Sequence, residues 1–351
     1  MDLDRGLRDR VAILRFVMIF GVIVLHTPAY VPMAEVGHGW FDTLKAYFQL
    51  AVFRASVPVL TVISGFLMFG ARLDQAPARL FGKKARTILV PFLCFNLPLV
   101  PLAFAAQLFA GIDMSTRLWP FEPMTWLNAT LGLTSAPINY PLHFLRDLFV
   151  LILLAPLFGW LLRHYAWSGL LLVGVVFFSN YDGILVLRDL MAVLFYVGGM
   201  AAVRSWNLRL LDPHALPCLL LFLLACAAII QFEVANTTYL RLVAPFLLWP
   251  AASLLVNSRI GSWLVRMSKY SFFIFLAHSP VLLLTWIIYG RAGDVLPYPL
   301  YWFMAPVIVT IALVFLYQLA HATSRLFPVS IGATATKRAA TAPAVTPHVP
   351  T

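Results

Sequence analysis

Residues 11–31, VAILRFVMIFGVIVLHTPAYV, form an apolar run of bilayer-spanning length that carries two ionisable side chains, Arg15 and His26. About 20 apolar residues in helical geometry cross the roughly 30 Å hydrocarbon core of a membrane. Ionisable groups inside such a run are costly, and they line cavities, pair with one another or do chemistry. The two stand eleven positions apart. At about 100° per residue they return to nearly the same face, and at about 1.5 Å per residue they stand roughly 16 Å apart along the axis. One helix face therefore offers a fixed cation near one membrane surface and a titratable imidazole deeper in.

Further apolar runs follow, bounded by charges or by Pro, Gly and aromatic residues. With the first they make ten, at about 11–31, 47–70, 88–110, 144–162, 166–181, 187–203, 215–232, 238–257, 270–289 and 300–320, the fifth and sixth being short. A chain of 351 residues that is 62% hydrophobic and only 11% charged is not an ordinary soluble domain. The expectation is an all-α, polytopic transmembrane helix bundle of about ten spans.

The net charge of +11 needs no nucleic-acid partner, because the cations are segregated. Seventeen lie on one side of the predicted spans: Arg5, Arg8, Arg10, Arg72, Arg79, Lys83, Lys84, Arg86, Arg163, Arg204, Arg209, Arg259, Arg266, Lys269, Arg325, Lys337 and Arg338. The opposite loops hold Lys45, Arg117, Arg241 and Arg291. This positive-inside asymmetry predicts that both termini are cytoplasmic. Trp40, Trp119, Tyr298 and Trp302 on one side and Trp167, Trp206 and Trp263 on the other suit interfacial belts.

The domain reading is a cytoplasmic N-terminus at 1–10, a transmembrane unit at 11–320 and a cytoplasmic, disordered tail at 321–351, rich in Ala, Thr and Pro. The basic start and apolar run resemble a signal peptide but lack a convincing small-x-small cleavage site, so the run is read as the first helix. Cys94, Cys218 and Cys226 fall inside predicted spans, which implies no disulfide framework. The longest connection, 111–143, is the expected external lid. No repeat between the two halves is evident, which weighs against a transporter built from inverted repeats.

Several other residues invite chemistry. The second run, FRASVPVLTVISGFLMF (53–69), places Arg54 in its outer half and Ser64-Gly65 nearer the cytoplasmic half. Ser64 and the backbone near Gly65 are candidates for stabilising an oxyanion, against an equally weighted reading as a helix-packing pair. GKKARTILVPF (82–92) sets Lys83 and Arg86 one turn apart at the start of the third span, where they suit a phosphate-bearing ligand or serve as topogenic charge. HFLRDLF (143–149) brings His143, Arg146 and Asp147 to an external helix end, and Arg188-Asp189 opens the sixth span; mutual ion pairing is as good a reading as contact with a polar acceptor. His278 lies deep in the ninth run and is read evenly as a structural hydrogen-bonding group or a functional one. Arg54, Asp147 and Asp182 are the candidates for an outer, acceptor-binding cavity. No phosphate-binding glycine loop, dinucleotide fingerprint or clustered Cys/His metal pattern is present, so no metal is expected.

These landmarks together resemble the acyltransferase-3 family of integral membrane acyltransferases. The features that carry the resemblance are Arg15-x10-His26, VPVLTVISGFL (57–67), GKKARTILVPF, FLRDLFV (144–150) and YSFFIFLAHSPV (270–281), and it extends over about residues 10–320. The family often has two arginines in the turn before the third span, where this chain has Lys83 with Arg86. The resemblance implies a multi-pass protein of the bacterial inner membrane that moves an acyl group, expected to be acetyl, from acyl-CoA. The acceptor would be a hydroxyl of an exopolysaccharide, a lipid-linked oligosaccharide or another surface glycan. It also implies His26 as the catalytic group, with Arg15 helping to hold the donor; the reading of the residues adds Lys83, Arg86 and Ser64 toward the donor. Membrane lipids and polysaccharide-assembly proteins are the further partners expected. Neutral imidazole suits removal of a hydroxyl proton during attack, and direct transfer and an acyl-histidine route both remain open. Buried Arg and His would also serve a proton-coupled transporter, and a non-catalytic scaffold would need neither.

Overall fold

A computed structural model describes residues 3–112, 114–179, 185–188, 190–292, 295–324 and 326–332. In chain order the helical segments are α1 (Arg5–His26), α2 (Trp40–Gly70), α3 (Pro77–Ala110), α4 (Pro123–Leu131), α5 (Tyr140–His164), α6 (Ala166–Phe178), α7 (Met191–Val203), α8 (Asp212–Gln231), α9 (Thr238–Leu255), α10 (Arg259–Arg291), α11 (Tyr298–Thr323) and α12 (Phe327–Ser330). No strand occurs among the described residues. Seven segments (α2, α3, α5, α8, α9, α10 and α11) are long and apolar enough to cross a membrane, and α6 and α7 are shorter apolar helices. With α1 they stand at the ten expected span positions, and the chain is a multi-pass membrane protein.

α1 begins where the Asp4 carboxylate accepts from the Leu7 N–H at 3.1 Å, an N-cap that satisfies one of the helix's free donors. It ends at Thr27, just before Pro28. The buried Gln49 amide donates to the carbonyls of Val24 (2.9 Å) and Thr27 (2.8 Å), which are acceptors left over at that helix end. Gln49 sits in a π-helical turn of α2, Tyr47–Ala51, followed by a tighter turn at Val52–Ala55 that carries Arg54. The irregular part of α2 thus fastens the end of α1 on which His26 stands.

The regular part of α2 packs on α7 through glycine. A Cβ at Gly65 would lie 2.1 Å from the Phe195 carbonyl oxygen, and one at Gly198 would lie 2.1 Å from that of Val62. Small residues on both partners let the two backbones meet, the usual solution between helices in lipid. The core runs through α1, α2, α5, α7 and α10. On α8, by contrast, Leu216, Leu220, Leu221 and Leu224 remain exposed, an apolar outer face suited to lipid.

At the Arg5 end, Arg10 is buried and bidentate to Asp212 (2.9 and 2.7 Å), tying α1 to the start of α8. Asp74 and Arg163 pair at 2.5 Å and tie the α2–α3 turn to the end of α5.

The 111–143 connection, the expected lid, contains α4 and is docked on α3: Asn96 donates to the carbonyls of Ala129 (2.8 Å) and Thr130 (2.7 Å) and accepts from the Asn139 N–H (2.9 Å). A small core of Val100, Ala103, Leu118 and Ala129 lies beneath it. The tail boundary at 321 is too early, because α11 continues to Thr323 and Phe327 packs edge-on to Phe273 and Tyr317. Apolar contact extends the folded unit to residue 332.

Candidate active site

Two cavities lie along α1. The first, about 400 Å³, is lined by His26, Arg54, Tyr140, His143, Arg188 and Arg241. The second, about 450 Å³, is lined by Arg15, Ser64, Lys84, Thr87, Ser271 and Gly332. Phe144 and Phe275 line both, and their rings meet edge to face at 5.7 Å. The face expected to carry one shared site is therefore divided: His26 stands in one chamber, Arg15 in the other, and an aromatic pair lies between them.

Three imidazoles are set in the same way, His26 and His143 at the wall of the first chamber and His278 fully buried behind His26. His26 Nδ1 contacts the Val22 carbonyl at 2.8 Å, and His278 Nδ1 contacts that of Phe275 at 2.8 Å. His143 Nδ1 contacts the Tyr140 carbonyl. A carbonyl oxygen only accepts, so each Nδ1 carries a proton, and in the neutral ring each Nε2 keeps a lone pair. The ring centres of His26 and His278 are 5.5 Å apart. His143 Nε2 and His278 Nε2 are buried without a hydrogen-bond partner among the described residues, whereas His26 lies at the cavity wall. That arrangement presents a proton acceptor to whatever enters the cavity.

Two of the lining arginines of this chamber are held by phenols, and Arg241 donates from Nη2 to Thr238 Oγ1 at 2.9 Å. Arg54 Nη2 donates to Tyr30 Oη at 2.7 Å, and Arg188 Nη2 donates to Tyr140 Oη at 3.0 Å. No Asp or Glu stands among the described lining residues. The Arg15 chamber is different in kind. Arg15 is exposed into it with no hydrogen-bond or ionic partner among the described residues, and most of the remaining wall is apolar. Its long, unpinned side chain can follow a charged ligand.

The other expected residues are placed as follows. Arg54 lines the His26 chamber and Ser64 the Arg15 chamber. The Ser64 hydroxyl donates to the Leu60 carbonyl at 2.7 Å, so its proton is engaged along its own helix, and Gly65 serves the α2–α7 contact. Oxyanion stabilisation by this dipeptide is therefore not supported by its geometry, and close helix packing accounts for the small residue. Lys83 and Arg86 are exposed and do not line the Arg15 chamber; Lys84 and Thr87 do. A π-helical turn at Ala85–Leu89 alters the phase that regular α-helix spacing would give.

Asp147 is not at a cavity wall. It is fully buried, accepts from Arg146 Nη1 (2.9 Å) and from the backbone N–H groups of Leu187 (3.1 Å) and Arg188 (2.9 Å), and so holds the segment that presents Arg188. That role replaces direct acceptor contact, because its charge is already taken up by these donors. Asp182 and Asp189 lie outside the described residues. Among the described residues no group of His, Cys, Asp and Glu could hold a metal ion.

Lys84, Tyr30, Tyr140 and Arg241 were not singled out as site residues from sequence. Tyr140 could have been suspected from its place three residues before His143, whereas Tyr30 and Arg241 carry no local signal.

A family model described as an acyltransferase domain matches residues 8–318. The succinoglycan biosynthesis protein ExoH of Rhizobium meliloti (strain 1021) is 32% identical over 361 aligned positions, covering 97% of this chain and 96% of that protein. No solved structure gives a significant match. With a matched model over nearly its whole bundle and a relative aligned end to end, the chain belongs to the acyltransferase-3 family of membrane proteins.

Proposed function

We propose that this protein is an O-acyltransferase of the bacterial inner membrane that transfers an acyl group from acyl-CoA to a hydroxyl of an exopolysaccharide or related surface glycan. The observation that carries the reading is His26: its Nδ1–H is tied to the Val22 carbonyl, which leaves Nε2 as the proton acceptor at the wall of the chamber. Family membership supports acyl transfer, and the similarity to a succinoglycan biosynthesis protein supports a polysaccharide acceptor.

On this reading the Arg15 chamber opens to the cytoplasm and takes the donor. Arg15 and Lys84 attract its phosphates from the chamber wall, while Lys83 and Arg86 add positive charge outside it. The thioester reaches His26 past Phe144 and Phe275. The acceptor hydroxyl oxygen attacks the thioester carbonyl carbon as Nε2 takes its proton. The C–S bond then breaks, and the imidazolium returns that proton to the departing CoA thiolate, leaving ester, CoA thiol and neutral His26. The family's common group, acetyl, is the first donor to test.

The test is mass spectrometry of surface glycans from cells carrying the intact protein, a deletion and a stably inserted His26→Ala variant. An acyl-sized increment seen only with the intact protein is expected. Its absence in all three strains, with the polysaccharide present and the protein well expressed, overturns the proposal; solute flux across proteoliposomes without covalent change would put a transporter in its place.

A further inference from the structure

The His26 chamber holds more positive charge than binding a neutral sugar hydroxyl requires. Arg54, Arg188 and Arg241 line it, and no carboxylate stands among the described lining residues. Arg188 lies within Coulombic reach of Arg54 and Arg241, which oppose its charge, and of the buried Asp147, which offsets only part of that opposition. Such a cluster in a half-buried cavity has a cost that an anionic ligand would offset.

The cluster is also built to receive something. The phenols of Tyr30 and Tyr140 each accept one N–H, from Arg54 and Arg188 respectively, and orient the guanidinium without neutralising it. A guanidinium has five N–H donors, so most remain available as a planar fork. Two more polar atoms of the same wall are buried without a partner among the described residues: the hydroxyl of Ser56, 1% exposed, and Nε2 of His143, 4% exposed. An anion entering the chamber would meet the remaining N–H groups of Arg54 and Arg188, and a small shift of Ser56 or His143 would bring a ligand hydroxyl within reach of these two atoms.

We propose that the His26 chamber is a carboxylate site: Arg54 and Arg188 grip a carboxylate that the reacting molecules carry into it beside His26. The proposal rests on the acyltransferase reading for what those molecules are. The carboxylate has two sources, the far end of a dicarboxylic acyl group on the donor or an acidic substituent of the acceptor sugar.

Binding can be read without transfer, by thermal unfolding of the purified full-length protein in nanodiscs. The probes are monomethyl succinate against neutral dimethyl succinate, methyl glucuronide as its free acid against methyl glucoside, and inorganic phosphate. Saturable stabilisation by the anionic member of one pair and not its neutral partner is expected. Response to the half-ester assigns the carboxylate to the acyl group, and response to the glucuronide assigns it to the acceptor. Arg188→Gln is expected to weaken the effect about tenfold or more, as loss of a charge-assisted pair does, and Arg188→Lys to restore part of it. Arg54→Gln gives the same readout should the position-188 variants fail to fold. Equal response to charged and neutral partners, stabilisation by phosphate alone, or unchanged titration in both Gln variants overturns the proposal. His26→Ala is expected to keep the anion response, so a failure of the acyl-transfer reading and a failure of the carboxylate site give different results.

Discussion

The two chambers along α1 are built around arginine, yet they use it in opposite ways. In the His26 chamber Arg54 and Arg188 are each oriented by a tyrosine phenol, and the 185–188 segment is fastened by the buried Asp147. In the Arg15 chamber the guanidinium has no such partner among the described residues, and Lys84 shares the wall. A pinned fork recognises the position and shape of an anion, whereas a free chain chiefly recognises its charge. On the proposed acyl transfer, the contrast would suit a reacting chamber at His26 beside a donor-gathering one at Arg15, with Phe144 and Phe275 lining both.

The comparison is open to attack at several points. The largest effect is expected from His26→Ala: transfer by the purified protein in proteoliposomes should fall by about 10²–10⁴-fold, the usual contribution of a positioned acid–base group, with donor KM little changed. A loss confined to donor KM would break the division of roles. Arg15→Gln should do the reverse, raising donor KM by about tenfold to a hundredfold, as loss of a charged hydrogen bond does, and leaving kcat nearly intact.

Next in size is a change outside both chambers. Gly65→Ala puts a methyl group 2.1 Å from the Phe195 carbonyl oxygen, and overpacking of this kind costs about 1–3 kcal/mol. Its melting temperature should drop, while Gly174→Ala, which lies inside a helix and meets nothing within 4 Å, should hold or slightly raise it. Equal effects would mean that α2 and α7 do not meet as described.

Lys84→Gln sharpens the comparison further. It should raise donor KM several-fold, as one exposed charge contact does, and more than Lys83→Gln, because only Lys84 lines the Arg15 chamber. The smallest effect is at Asp4, whose carboxyl is held below the ordinary carboxylate range by the Leu7 N–H and by Arg209. A depressed value in the folded state means the stabilisation is complete above about pH 4, the unfolded range, and is lost as pH falls through the folded value. Asp4→Asn should therefore flatten the acid limb of thermal unfolding, and an unchanged limb would remove Asp4 from the account.

The residues that carried the sequence reading did so for a simple reason. An arginine and a histidine inside a span are conspicuous against hydrocarbon, and their spacing alone puts them on one face. The glycines of α2 and α7 were less legible, because Ser64-Gly65 reads equally as a substrate contact or a packing point until Phe195 is seen against it. Asp147 looked like an acceptor ligand by charge, yet the amides that consume it come from Leu187 and Arg188, about forty residues along the chain. Lys83 stands one turn before Arg86 and so reads as its partner, but which of two adjacent lysines faces a cavity depends on how the helix packs, and here it is Lys84.

From the sequence alone came the helical membrane bundle, its span positions and the Arg15–His26 face, all of which follow from hydropathy and local periodicity. Tertiary structure alone decided that this face is split by Phe144 and Phe275, that tyrosines pin the arginines beside His26, and which charges are already taken up. Local periodicity sets where a side chain points from its own helix; what it meets there depends on segments distant in the chain, and that meeting determines whether a buried charge is structural or free to act.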